Sequence, residues 1–120
     1  MYQIEFYRQE NGYSPMEALM SELQSRAHES KDGRIQWKQM VREIDTLAEL
    51  GIECMPINMT KHIDEDLWEL RPGRRRVLYF YHKDNTYVLL HSFIKKTQKT
   101  PRREIEKAKR ERNDYLRRKG

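Results

Sequence analysis

The chain has 120 residues, a net charge of +5, 36% charged and 37% apolar residues. That is about one domain, with enough aromatic and aliphatic bulk for a small core, which excludes a disordered chain. No apolar run approaches the ~20 residues of a membrane-spanning helix, no secretory signal is expected from Met1-Tyr2-Gln3-Ile4-Glu5, and the lone Cys54 excludes an internal disulfide and a multi-cysteine metal cage. A soluble cytoplasmic protein without cofactor or metal is expected.

Tyr2 to Tyr7 alternates weakly and predicts a first strand, closed by the Asn11-Gly12 turn. Ser14-Pro15-Met16-Glu17 has the form of a capping box with proline at the first helical position. Met16, Leu19, Met20, Leu23 and Ala27 follow at helical spacing, and Asp32-Gly33 is read as the break. A second helix carries Trp37, Met40, Val41, Ile44, Leu47 and Ala48 on one stripe and stops at Gly51. The short polar link predicts an antiparallel helical hairpin.

After Pro56 the period becomes two. Leu67, Glu69 and Arg71 share one face of a strand over 66–71, with Trp68 and Leu70 on the other. Pro72-Gly73 turns the chain into a strand from Arg76 to Tyr81, and His82 to Asn85 leads into the return strand, Thr86 to Ile94. By this parity His91 lies with Leu89 and Phe93. Thr100 is read as the N-cap, with Pro101 at the first turn, of a basic helix over about 101–118 whose thin apolar edge is Ile105, Ala108, Tyr115 and Leu116. The predicted order is β-α-α-β-β-β-α, an α+β domain spanning 1–120, with a small, mainly antiparallel sheet packed against the helices.

Charge is unevenly placed. Residues 1–94 hold 12 basic and 15 acidic side chains, whereas residues 95–120 hold 12 basic and 4 acidic, a local net of +8. Such clustering is the footprint of a polyanion partner, or else a solvated helix and tail. A second cluster, Arg71, Arg74, Arg75 and Arg76, surrounds the Pro72-Gly73 turn. Arg71 and Arg76 end neighbouring strands, so a phosphate can lie between two guanidinium forks; the bland alternative is a pair of solvated hairpin arginines.

Three segments stand in order: Leu67-Trp68-Glu69-Leu70-Arg71, Arg76-Val77-Leu78-Tyr79, and Leu89-Leu90-His91-Ser92-Phe93-Ile94-Lys95-Lys96-Thr97-Gln98-Lys99-Thr100-Pro101. The set resembles the RelE/HigB superfamily of toxins, in its phage-derived Gp49-like branch, over about Lys61 to Tyr115. The resemblance implies a RelE-like fold and the toxin of a type II toxin–antitoxin module. It further implies a ribosome-dependent mRNA endoribonuclease that works without metal, by 2′-OH attack to a 2′,3′-cyclic phosphate. The implied partners are the ribosome and mRNA, a neighbouring helix-turn-helix antitoxin of HigA type and, through that complex, operator DNA, with no membrane.

On this resemblance Arg71 and Arg76 align with arginines that stabilise the scissile phosphate. His91 falls where HigB-like members carry a histidine, as acid or base, against the alternative of a packed strand histidine. Lys95 joins them as a catalytic candidate. Lys61, Arg74, Arg75, Lys96 and Lys99 are candidates for holding RNA phosphate, each against the plain role of a solvated charge. Tyr115 lies far along the last helix from where RelE members place a site tyrosine. A ParE-like gyrase inhibitor and a non-catalytic nucleic-acid-binding module are the alternatives. The antitoxin contact is expected to be acidic or amphipathic, to compensate the basic tail.

Overall fold

The core is split in two by a five-stranded sheet, and each half is closed by different helices. In the computed structural model, which describes residues 1–119, the elements are β1 (Gln3–Phe6), α1 (Pro15–Ala27), α2 (Lys31–Leu50), β2 (Thr60–Asp64), β3 (Leu67–Leu70), β4 (Arg75–Tyr81), β5 (Thr86–Ile94) and α3 (Arg102–Lys119). The sheet order is β1-β5-β4-β3-β2; β1 runs parallel to β5 and every other pairing is antiparallel. The α+β class and mainly antiparallel sheet agree with expectation, and the arrangement is consistent with a RelE-like fold.

The helical hairpin covers one face. Met16, Leu19 and Leu23 of α1 and Met40, Ile44 and Leu47 of α2 meet Leu70, Val77, Tyr79, Tyr87 and Leu89. Helix α3 covers the other, where Ile105, Ala108 and Tyr115 meet Tyr7, Leu67, Leu78, Phe80, Val88 and Leu90. Each fully buried aliphatic or aromatic side chain contributes roughly 1.5–3 kcal/mol of transfer free energy. Tyr115 belongs to this core: its ring lies edge-on to Phe80 and its hydroxyl donates to Glu5 Oε1 at 2.6 Å.

The ends of the helices depart from the predictions for definable reasons. Ser14 caps α1 as expected, its Oγ accepting from the Glu17 N–H at 3.1 Å. Asp32 and Gly33 do not break the chain; they form the first turn of α2, capped by Ser30, and the break lies at residues 28–30. Gly33 is needed for closeness rather than for a turn, because a Cβ there would collide with the Arg26 carbonyl where the two helices meet. Thr100 does not cap α3. Its hydroxyl donates to Glu69 Oε1 at 2.8 Å, and the first helical carbonyl is that of Pro101, which accepts from Glu104 and Ile105.

The predicted order lacks one strand. Residues Thr60–Asp64 pair with β3 as the outermost strand, with a register shift between His62 and Asp64. Only Thr60 is buried in it, so it carries no apolar alternation to read, which is how an edge strand is kept from pairing with strangers.

Candidate functional site

The loop after β3 brings four cations to one end of the sheet. Gly73, at φ +62, lets residues 72–74 reverse the chain between Arg71 and Arg75. The Lys95 N–H donates to the Arg74 carbonyl at 2.9 Å, which pins the end of β5 beside that turn. Lys61 of β2 stands directly opposite Glu69 of β3. At the centre is Glu69, whose side chain is 0% exposed.

Glu69 Oε2 faces Arg71 Nε at 3.3 Å and Arg76 Nε at 3.7 Å, and none of these three atoms completes a hydrogen bond. Its other oxygen is held by Thr100. Burial pushes the Lys95 ammonium down; Glu69 opposes this, while Arg76, Arg71 and Lys61 add to it. Burial likewise lowers Arg76, whose Nη1 donates to the carbonyls of Gly73 and Arg75. Lys61, Arg71, Arg76 and Lys95 thus surround one buried carboxylate, a concentration of positive potential with unspent donors.

A second carboxylate underpins the rim. Glu43 of α2 accepts from the Arg71 backbone N–H at 2.8 Å. Burial pushes its carboxyl up to about 7, although that N–H and the Arg76, Arg42 and Arg71 charges pull it down. Sequence reasoning missed Glu43 and gave Glu69 only a place on a strand face. The signal available for Glu43 was a charge at helical spacing between Met40 and Leu47, on the buried stripe.

The other predicted residues are distributed as follows. Arg74 is exposed on the turn. Arg75 is half-buried and faces the helical hairpin rather than the rim: burial lowers it, the Arg26 charge adds to this, and Glu22 opposes. Lys96 and Lys99 are exposed on the loop before α3, lining a cleft with Phe93 and Glu104.

Of the two readings of His91, acid or base and packed strand histidine, its surroundings have the form of the second. His91 is 2% exposed, with Nδ1 at 2.6 Å from Glu111 Oε1 and Nε2 at 2.9 Å from Glu104 Oε1. Two acceptor carboxylates on one imidazole require two protons among the three groups, either an imidazolium or a neutral ring beside a protonated glutamate. Its neighbours are these carboxylates of α3, not the apolar face expected from the parity of Leu89. The cause is a β-bulge: Leu78 pairs with His91 but Tyr79 pairs with Leu89, so Leu90 is extra and the parity inverts after it. Glu111 carries the same missed signal as Glu43, a charge at helical spacing between Ala108 and Tyr115.

The basic tail also reads differently in three dimensions. Arg102 and Lys109 pair with Asp64, Lys109 and Arg112 with Glu65, Arg112 also with Asp66, and Lys119 with Glu5. Arg117 and Arg118 pair with Asp114 within the helix. Most of the excess on α3 therefore meets acids of the same chain, and the helix needs no outside partner to compensate it.

The family model described as "Phage derived protein Gp49-like (DUF891)" matches residues 29–113, well over half of the chain. That span includes the whole rim, the buried histidine and both of its glutamates. No curated protein matches the chain.

Proposed function

The chain belongs to the phage-derived Gp49-like family, and on that footing we propose that it is the toxin of a type II toxin–antitoxin pair, of RelE/HigB kind, which cuts mRNA on the ribosome. The observation that carries the reading is the gathering of Lys61, Arg71, Arg76 and Lys95 around Glu69. Metal-free RNA cleavage forms a bond from the ribose 2′-oxygen to phosphorus, the 2′-hydroxyl proton passing to water, and breaks the bond to the 5′-oxygen. The two guanidinium groups answer the charge that builds on the phosphorane oxygens, because they stay protonated and donate in a planar fork. The Lys95 ammonium, lowered by burial, is suited to give its proton to the leaving 5′-oxygen. Products are a 2′,3′-cyclic phosphate and a 5′-OH.

Arg74, Lys96 and Lys99 are exposed around the rim and hold the flanking phosphates of the messenger or of ribosomal RNA. His91 acts from behind, fixing α3 and Glu104 against the sheet, and Arg75 supports the turn from the hairpin side. An antitoxin element of acidic character fits over the rim, where the cations outnumber the carboxylates. Primer extension on translated mRNA tests the reading: cuts within ribosome-occupied codons are expected from the wild type and not from Arg76→Ala. Growth arrest with intact mRNA and blocked DNA supercoiling would instead make the protein a ParE-like gyrase inhibitor.

A further inference from the structure

Along the α3 face of the sheet the apolar core ends in a charge. Leu67 and Leu78 are core on that side. Glu69 is the next position of β3 with the parity of Leu67, and it is the register partner of Leu78. It is buried as completely as they are. Arg71 and Arg76 come after it and are half-buried. The cations of the rim therefore begin where one sealed carboxylate closes the core.

A carboxylate at this place is costly, because its removal from water is offset only by close contacts that satisfy its lone pairs. Oε1 has one such contact, the Thr100 hydroxyl at 2.8 Å. Oε2 has only the two Nε atoms of Arg71 and Arg76, at 3.3 and 3.7 Å, and all three atoms are buried without a completed hydrogen bond. An apolar side chain would continue the core at lower cost, so folding alone does not account for Glu69. The orientation of its partners does. Both guanidinium groups turn Nε inward to the same oxygen, and in a rigid planar fork a fixed Nε fixes where the Nη donors point. Arg76 gives Nη1 to the Gly73 and Arg75 carbonyls, which leaves Nη2. Arg71 is anchored by its backbone N–H on Glu43, and among the described residues neither of its Nη atoms makes a hydrogen bond.

We propose that Glu69 is the positioning residue of the rim: it holds the Arg71 and Arg76 forks with Nε inward and their free Nη donors outward, so that both close on one phosphate, and through Thr100 it ties the loop of Lys95, Lys96 and Lys99 to that arrangement. The inference rests on the RNA reading of the rim and adds to it the group that orients the clamp. Glu69 touches no substrate and acts through the two arginines. It also works against binding, since a carboxylate behind the rim subtracts from the positive potential that attracts a polyanion. Orientation and attraction thus have opposite signs at this one residue, which makes its role measurable.

Two variants of the full chain test it, each measured per folded molecule by circular dichroism. Glu69→Gln keeps an oxygen for Thr100 and removes the charge. It is expected to bind a 2′-O-methyl RNA oligomer, which has no 2′-hydroxyl to attack, about threefold more tightly, the scale of one unit charge a few ångströms away in water. It is expected to cut translated mRNA about 10²-fold more slowly, the scale of a small misplacement. Glu69→Asp keeps the charge but withdraws it by one methylene, so binding stays as in the wild type and cutting falls by about tenfold. Were Glu69 only a screening charge, Glu69→Asp would match the wild type and Glu69→Gln would cut faster. Were it only a support of the fold, both variants would cut normally per folded molecule. Either result overturns the proposal. A second readout needs no cleavage: the Arg71 and Arg76 Nε–Hε signals in ¹H–¹⁵N spectra, assigned with Arg71→Lys and Arg76→Lys, are expected to shift together when inorganic phosphate is added to the wild type, and not in either Glu69 variant. That joint shift without mRNA cleavage removes the nuclease reading and keeps the positioning role. Cleavage without the joint shift does the reverse, and the absence of both removes both.

Discussion

Helix α3 and the β3–β4 rim are both rich in arginine and lysine, and they use that charge in opposite ways. On α3 the cations pair with carboxylates at 3.0–3.5 Å from the β2–β3 turn and from β1, and with Asp114 of the helix itself. At the rim, Arg71 and Arg76 face the buried Glu69 at 3.3 and 3.7 Å without a completed hydrogen bond, and Lys61 and Lys95 stand beside them. The helix spends its charge on holding the fold together, and the rim keeps its charge available. A large local net charge in a sequence is therefore a poor guide to where a polyanion binds; the balance of cations over nearby carboxylates in space is the better one.

The contrast breaks most visibly at Arg76. Arg76→Ala is expected to lower cleavage of translated mRNA by roughly 10²–10³-fold, the usual scale for losing one donor to a developing oxyanion, with an unchanged circular dichroism spectrum. An equal loss of folding would move Arg76 to the structural side. His91→Ala is expected to cost about 3 kcal/mol in urea denaturation, because two inward-facing carboxylates lose their shared partner. Cleavage per folded molecule should survive it; a large loss of activity at unchanged stability would make His91 a chemical participant.

A third measurement concerns pH. The Glu43 carboxyl is raised from its ordinary value to about 7 by burial, so the folded state binds a proton more tightly than the unfolded one. This group's contribution is most favourable below about pH 4.5 and is lost as pH rises towards 7. Glu43→Gln keeps an oxygen for the Arg71 N–H and removes the titration. Its stability relative to the wild type is expected to grow by about 2 kcal/mol between pH 5 and pH 8; a constant difference would show that Glu43 stays ionised. The smallest effect is expected on α3: Arg112→Ala costs about 1 kcal/mol, since its partners Glu65 and Asp66 are half exposed, and leaves cleavage as it was.

Much of this architecture was legible from periodicity. The stripes on α1 and α2, the hairpin of β4 and β5 and the α+β class all follow from apolar spacing, because burial imposes that spacing. Strand β2 was not legible, since in this edge strand only Thr60 is buried and Ile63 is its one apolar residue, too little alternation to betray it. The clustering of Arg71 with Arg76 followed from one turn and a family resemblance. Glu43, Glu104 and Glu111 did not, because a carboxylate placed on a buried helical period looks like an interruption until its partner, from a distant segment, is known. The placing of Lys109 against Asp64 was hidden for the same reason: summed charge says nothing of who meets whom.

The supernumerary Leu90 does more than relocate one histidine. Every side chain downstream of it in β5 changes walls, and Phe93 and Lys95 thereby arrive on the side of Arg76 instead of beneath the helical hairpin. Deleting that single residue would restore a regular strand while carrying the Lys95 ammonium and the Phe93 ring to the opposite side of the sheet, so a more orderly ladder would leave the rim without one of its cations.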